Sequence, residues 1–407
     1  MDNNKLIPKL RFREFDGEWE SCKLHELCKV QDGTHSTPNY VEEGIPFFSV
    51  DTIINNVNPK YISKKDHEKL IKRCEPKKGD ILLSRITGGI LGYPKLVDWD
   101  FEFSIYVSLA LLSSIKIDSK YLNYYIQSSV YRKDFLSKSL LTASPPKINL
   151  NDLESTNIKY PKFYEQKKID NFFFLLNKKI DLLENKYQLY NNFKKYLMQQ
   201  IFAGKLRFAD NENWKTVKLG DVCKITMGQS PSSENYSENN FHTVLIQGNA
   251  DIINGKVVPR VYTSEITKIS KPGDIIMTVR APVGDLAINE FESCIGRGVC
   301  SIEGNKFIYY LLQSLKDNHV WERLSQGSTF ESINSNDIKN LKVKMPSEET
   351  QNTISLFLTE IDSKIELYEI QFLTFQKLKK GLLQQMFVCL WKLIKKLMKL
   401  KSDFITE

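Results

Sequence analysis

Two stretches decide how this chain is built: Tyr164-Glu165-Gln166-Lys167-Lys168-Ile169, running on to Phe202, and Glu349-Thr350-Gln351-Asn352-Thr353-Ile354, running on to Phe387. They lie 185 positions apart and agree along their length. Gln166, Ile169, Phe172, Leu176, Lys179, Ile180 and Glu184 match Gln351, Ile354, Phe357, Ile361, Lys364, Ile365 and Glu369. Both stretches close on Leu-x-Gln-Gln-x-Phe, at Leu197–Phe202 and Leu382–Phe387. Agreement at one fixed offset over this length makes the chain an internal duplication.

In each copy seam positions recur in steps of three and four with one extra shift, from Ile169 to Ile201 and from Ile354 to Met386. That spacing predicts a long helix with one continuous apolar seam. About forty residues of helix span about 60 Å. A seam this long needs a partner, and the nearest is its own duplicate. The short linker Ala203 to Asn213 turns the chain back and favours an antiparallel pair within the chain over a parallel pair or a dimer. Lys194 and Lys379 interrupt the seam at matching places, where either snorkelling or contact with a partner subunit or the DNA backbone would account for them.

Outside the helices the duplication continues. Lys9-Leu10-Arg11-Phe12 returns as Lys205-Leu206-Arg207-Phe208, and Trp19 and Trp214 follow. Leu27-Cys28-Lys29-Val30 answers Val222-Cys223-Lys224-Ile225, a strand or a short helix leading into one. Strand-like runs rich in β-branched and aromatic residues fall at 45–50, 81–84, 106–112, 243–247, 273–279 and 295–302. Helical runs fall at 120–137 and 306–324. The last strand of each domain ends at Pro161 or Pro346.

The expected fold is therefore α+β: two mixed domains joined by two long helices forming an antiparallel intrachain coiled coil. The boundaries read as a first domain over 1–162, a first helix over 163–203, a second domain over 204–346, a second helix over 347–388 and a basic extension over 389–407. Val388 to Lys401 carries five lysines on an amphipathic pattern. It is expected to extend the second helix or to fray beyond it, with membrane binding the lesser reading.

The composition permits two or three real cores: 407 residues, 41% of them hydrophobic. A net charge of +8 leans towards a polyanionic partner, weakly, because 57 basic residues face 49 acidic ones. Seven scattered cysteines, without a Cys-x-x-Cys pair, read as reduced core thiols. Met1 to Lys5 lacks a signal-peptide pattern and no run of 18 apolar residues suggests a membrane span, so a cytoplasmic location is expected. Neither a phosphate-binding glycine motif nor a metal constellation is present, and no catalytic residue is expected.

What remains is a set of polar, turn-rich loops. Gln31-Asp32-Gly33-Thr34-His35-Ser36 and Met227-Gly228-Gln229-Ser230 leave matching strands. Gly79-Asp80-Ile81-Leu82-Leu83-Ser84-Arg85 and Gly273-Asp274-Ile275-Ile276-Met277-Thr278-Val279-Arg280 both read as a turn, a buried strand and an arginine leaving it. Short hydroxyl, amide and guanidinium side chains on such loops suit the donors and acceptors at base edges. Candidate DNA contacts in the first domain are Gln31, Thr34, His35, Ser36, Arg85, Thr87 and Lys147, with Arg85 leading. In the second they are Gln229, Ser230, Gln247, Asn249, Arg280, Arg297 and Ser328.

With the repeat, the Lys-Leu-Arg-Phe linkers and the Leu-x-Gln-Gln-x-Phe helix ends in hand, the chain resembles the specificity subunit of a type I restriction-modification enzyme. The likeness covers about residues 8–388. It implies that each domain reads one half of a split site on double-stranded DNA while the helix pair sets the spacing. It also implies two methyltransferase subunits using S-adenosylmethionine and two restriction subunits using ATP and Mg, with no cofactor on this chain. The alternative is an autonomous DNA-binding regulator with two reading domains. Ser144-Pro145-Pro146-Lys147 resembles the Pro-Pro turn of amino-methyltransferases, but lysine stands where an aromatic residue would stack on a flipped base, so an ordinary turn is expected.

Overall fold

The computed structural model describes residues 6–55, 57–208, 213–325 and 332–388. The basic extension over 389–407 and Ser328 lie outside the described residues. The chain forms two compact units, Met1–Leu182 with Gln371–Glu407, and Leu183–Ile370.

In the first unit a four-stranded antiparallel sheet runs in the order Cys28–Asp32, Leu109–Ser114, Ile81–Ser84, Pro94–Leu96. Ile81–Ser84 is buried throughout because the sheet is covered on both faces. Alternation sends Ile81, Leu83, Ala110 and Leu112 into a core with the helices, and Leu82, Leu109 and Leu111 into a second core with Phe48, Phe103 and Val97. The second core is roofed by a smaller sheet in the order Tyr40–Val41, Lys60–Ile62, Ile45–Phe48, Ser104–Ile105. Glu20–Lys23 pairs separately with Asn157–Tyr160, which ends before Pro161.

The second unit repeats the plan with more strands. A six-stranded sheet runs Lys224–Met227, Val299–Glu303, Ile275–Thr278, Leu286–Ile288, Lys256–Val257, Ile252–Ile253. A five-stranded sheet built around Thr243–Ile246 and Ser293–Ile295 covers its other face. Ile275 and Met277 face the helix side while Ile276 faces the second sheet. Lys215–Lys218 pairs with Lys342–Met345, as Glu20–Lys23 does with Asn157–Tyr160.

The shared passage after each tryptophan is a short helix, Leu24–Leu27 or Leu219–Val222, leading into the strand. Cys28 and Cys223 lie buried there, their thiols pushed up by burial to about 12 and about 11, as expected of core cysteines. The two helical runs are broken. Ser128 separates Ser119–Gln127 from Ser129–Ser137, its hydroxyl capping the second by accepting from the Tyr131 amide at 3.3 Å. Asn318 and left-handed His319 (φ 57°) separate Lys306–Asp317 from Val320–Ser325. The expected strand over 295–302 likewise divides, at the Gly296-Arg297-Gly298 turn.

The long helices span Phe163–Phe202 and Glu348–Gln385. Each lends one half to each unit, and within each unit the halves pack antiparallel. In the first, Ile169, Phe173, Leu176 and Ile180 share a core with Leu383, Met386 and Phe387. Phe387, fully buried, lies 5.9 Å from the Phe173 ring and also meets Trp19, Tyr121 and Tyr125. In the second, Leu197, Met198 and Ile201 share a core with Ile354, Leu358 and Ile361, and Tyr190 meets Tyr368 at 5.2 Å.

Lys194 finds partners within the second unit. It pairs with Asp362 of the facing helix at 2.6 Å, donates to the Gln313 amide oxygen at 3.0 Å and lies over the Tyr310 ring. Lys379 is half buried in the first unit, and burial lowers its pKa against the pull of Asp181.

Candidate DNA interface

In the first unit the strands Cys28–Asp32 and Ile81–Ser84 end, and Leu109–Ser114 begins, at one edge of the sheet, because Asp32 sits opposite Ala110 and Ser84 opposite Leu109. That edge gathers the candidates. Gly33 passes so close to the backbone of Ile105 and Tyr106 that a Cβ would collide. The loop it opens bridges Thr34 to Tyr106, and the Thr87 amide donates to Pro146 while Ile86 bridges Lys147.

Asp32 organises this edge from a buried position. Its Oδ2 accepts from Arg85 Nη1 at 3.2 Å and meets His35 Nε2 at 2.8 Å; its Oδ1 accepts from Arg73 Nη2 at 2.6 Å. Burial alone would raise the Asp32 carboxyl, but the hydrogen bonds from Arg73 and His35 prevail and hold it below the ordinary carboxylate range.

Arg85, the leading candidate by sequence, is not on the surface. Its side chain is 8% exposed, and it also donates to the Val107 carbonyl at 3.0 Å and the Ile148 carbonyl at 3.3 Å. Burial lowers its pKa against the pull of Asp32. It braces the loops rather than reaching out from them. Thr34 is buried too, its hydroxyl engaged with Ser36. Gln31, Thr87 and Lys147 are half buried; Gln31 donates to the Arg73 carbonyl at 2.6 Å and Thr87 accepts from the Gly89 amide at 2.9 Å. His35 and Ser36 are exposed.

In the second unit the equivalent edge is organised by main chain. Gly228 leaves no room for a Cβ against Gly296, as Gly33 does against Ile105, and Gly298 lies equally tight against the Gln247 carbonyl. These contacts bring Gln229, Ser230, Gln247, Asn249 and Arg297 around one turn. The Gln229 amide donates to Ile295 at 2.9 Å, the Thr267 hydroxyl donates to the Gln229 carbonyl, and Ser230 Oγ accepts from the Arg297 amide at 3.1 Å. Val279, joined to the same turn through Gly298 at 2.9 Å, carries Arg280 beside it. Gln229, Asn249, Arg280 and Arg297 are exposed, and Gln247 and Ser230 half buried.

The register corrects one equivalence. Backbone partners match Arg85 with Val279, since Ile148 donates to the Arg85 carbonyl and Ile333 to that of Val279. The bridges Ile86 to Lys147 and Arg280 to Ser332 match Arg280 with Ile86. A one-residue step along an extended chain turns the side chain to the other face. Val279 is therefore buried and Arg280 exposed.

Four residues at these edges escaped the sequence reading. Asp32 and Asp251 are the buried carboxylates, and Arg73 and Arg260 are exposed arginines bonded to them, the second pair at 3.0 Å. Asp251 Oδ2 accepts from the amides of Gln247 at 2.8 Å and Gly248 at 3.2 Å. An aspartate three residues after a glycine turn is a readable local signal. Asp32 has none comparable for its arginines, which lie 41 and 53 positions away.

Fold and edges together define a duplicated two-domain protein that presents polar, partly basic loops from matching sheet ends. The description "Type I restriction modification DNA specificity domain" matches residues 16–191 and again 211–373, and the chain belongs to that family. It is 29% identical over 410 residues to a chain assigned as the MjaX specificity subunit of a type I restriction enzyme in Methanocaldococcus jannaschii, covering 92% of this chain and 94% of that one. The MjaVIII specificity subunit of the same organism is 26% identical over half of each chain. Among solved structures, the type I restriction-modification S subunit of M. genitalium superposes with a TM-score of 0.62 at 17% identity, over 94% of this chain and 99% of that one. A chain from a study of type I complex assembly superposes with a TM-score of 0.58 at 22% identity, over 91% and 98%.

Proposed function

We propose that this chain is the DNA specificity subunit of a type I restriction-modification complex, each domain reading one half of a split site and the helix pair fixing the distance between the halves. The observation that carries this is the family match repeated in order, with each copy ending in a long helix. The chain itself supplies the address and no chemistry. Methyl transfer from S-adenosylmethionine belongs to two methyltransferase subunits, and ATP- and Mg-dependent translocation and cleavage to two restriction subunits. The long helices offer a dock for the methyltransferases, with Phe174, Leu182 and Leu189 on the first and Leu356, Leu367 and Leu373 on the second all at least half exposed.

The test is methylome sequencing of cells with and without this gene, alongside its methyltransferase partner. A split adenine motif that appears only with the gene supports the proposal; an unchanged methylome overturns it. Tight binding of specific DNA by the purified chain alone would instead favour a free-standing regulator.

A further inference from the structure

Arg73 and Arg260 come from unrelated places in the two domains, yet they are held alike. Each gives one edge of its guanidinium to the Oδ1 of a buried aspartate, Arg73 through Nη2 to Asp32 and Arg260 through Nε to Asp251. In each case the other carboxylate oxygen holds a recognition loop, through His35 in the first domain and through the Gln247 and Gly248 amides in the second. One carboxylate thus ties a loop and an arginine into a single piece. The side chains remain 57% and 53% exposed, with their remaining donors unclaimed by other side chains among the described residues.

An exposed arginine ordinarily samples many rotamers, and ordering it costs side-chain entropy. A carboxylate on one edge orders it beforehand and leaves the remaining N–H groups in a set direction. The same carboxylate offsets much of the positive charge. A phosphate clamp gains from full charge and tolerates loose direction, so this arrangement is poor for a phosphate. It is well made for the paired acceptors O6 and N7 of guanine in the major groove, where direction decides.

We infer that Arg73 and Arg260 are specificity-determining residues, each reading a guanine in its own half-site. This rests on the proposed function. The experiment is methylome sequencing with the whole complex carrying Arg73→Ala, Arg73→Lys, Arg260→Ala or Arg260→Lys, together with the salt dependence of DNA binding. Lysine keeps the charge but loses the fork. Each variant, alanine and lysine alike, is expected to relax one guanine position in one half-site by about tenfold or more, leaving the other half intact. An unchanged motif for every variant overturns the inference, and so does a uniform loss of affinity that lysine restores, since that is a phosphate contact. Absence of any split motif with the wild-type chain would defeat the functional reading itself, before any variant is compared.

Discussion

The two domains solve one packing problem in opposite ways. Where the first strand leaves its sheet the first domain has Asp32 and the second Met227, set across from Ala110 and Cys300. Beside them stand Arg85 in the first domain and Val279 in the second. An ion pair with Asp32 at 3.2 Å fills the place in one copy, and in the other Val279 lies in the core with Met227 packed against it. Because the second domain has no carboxylate here, it has no use for a buried arginine. Its arginine stands one residue later and faces outward as Arg280. One step along the strand thus separates a buried, ion-paired arginine from one that faces solvent.

The largest effect should come from breaking the buried pair. Arg85→Ala leaves Asp32 without its buried partner, and Asp32→Ala leaves Arg85 charged and unpaired; the first domain should lose about 3–5 kcal/mol while the second keeps its stability. Hydrogen exchange resolved by domain measures this, and equal loss in both domains would break the comparison. Installing the second domain's answer, Asp32→Met with Arg85→Val, should recover much of that loss, giving a coupling of about 1–3 kcal/mol in a double-mutant cycle. Additive losses in denaturant unfolding would mean that the two edges are not equivalent.

Next in size is Arg280→Ala, which should change stability by no more than about 0.5 kcal/mol while weakening one half-site by about 1–3 kcal/mol. Competition binding with each half-site scrambled in turn would read it, and loss at both halves would speak against an outward, local role.

The smallest effect is acidic. Asp32 is held below the ordinary carboxyl pKa of about 3.9, so its contribution to the first domain is complete above that value and is lost as pH falls through the lowered one. Met227 cannot titrate, so the acid-dependent component that Asp32 adds at this strand end has no counterpart at the matching strand end of the second domain. Asp32→Asn should remove that acid-dependent component from stability measured against pH, leaving the second domain's profile as it was.

Much of this was legible in the sequence because the signals are local and periodic. The seam of threes and fours located both long helices to within three residues at either end, and Pro161 and Pro346 marked the ends of the last strands. The loops were legible through Gly33 and Gly228, whose close backbone approaches recur in both copies. What stayed hidden depends on partners far along the chain. Nothing near Arg85 announces Asp32, and nothing near Lys194 announces Asp362 on the facing helix. Arg85 and Arg280 looked equivalent because each follows a buried strand. The backbone partners Ile148 and Ile333 show instead that Val279 takes the place of Arg85 and Arg280 that of Ile86.

The central claim is that two separate readers are held at a set distance by the paired helices, and spacer length tests it most directly. Removing one heptad from each helix, residues 183–189 and 367–373, keeps the seam in phase and shortens the pair. Methylome sequencing with the intact methyltransferase partner should then find both half-motifs unchanged and the spacer between them altered. An active complex that methylates the original split motif with its original spacer would contradict the account.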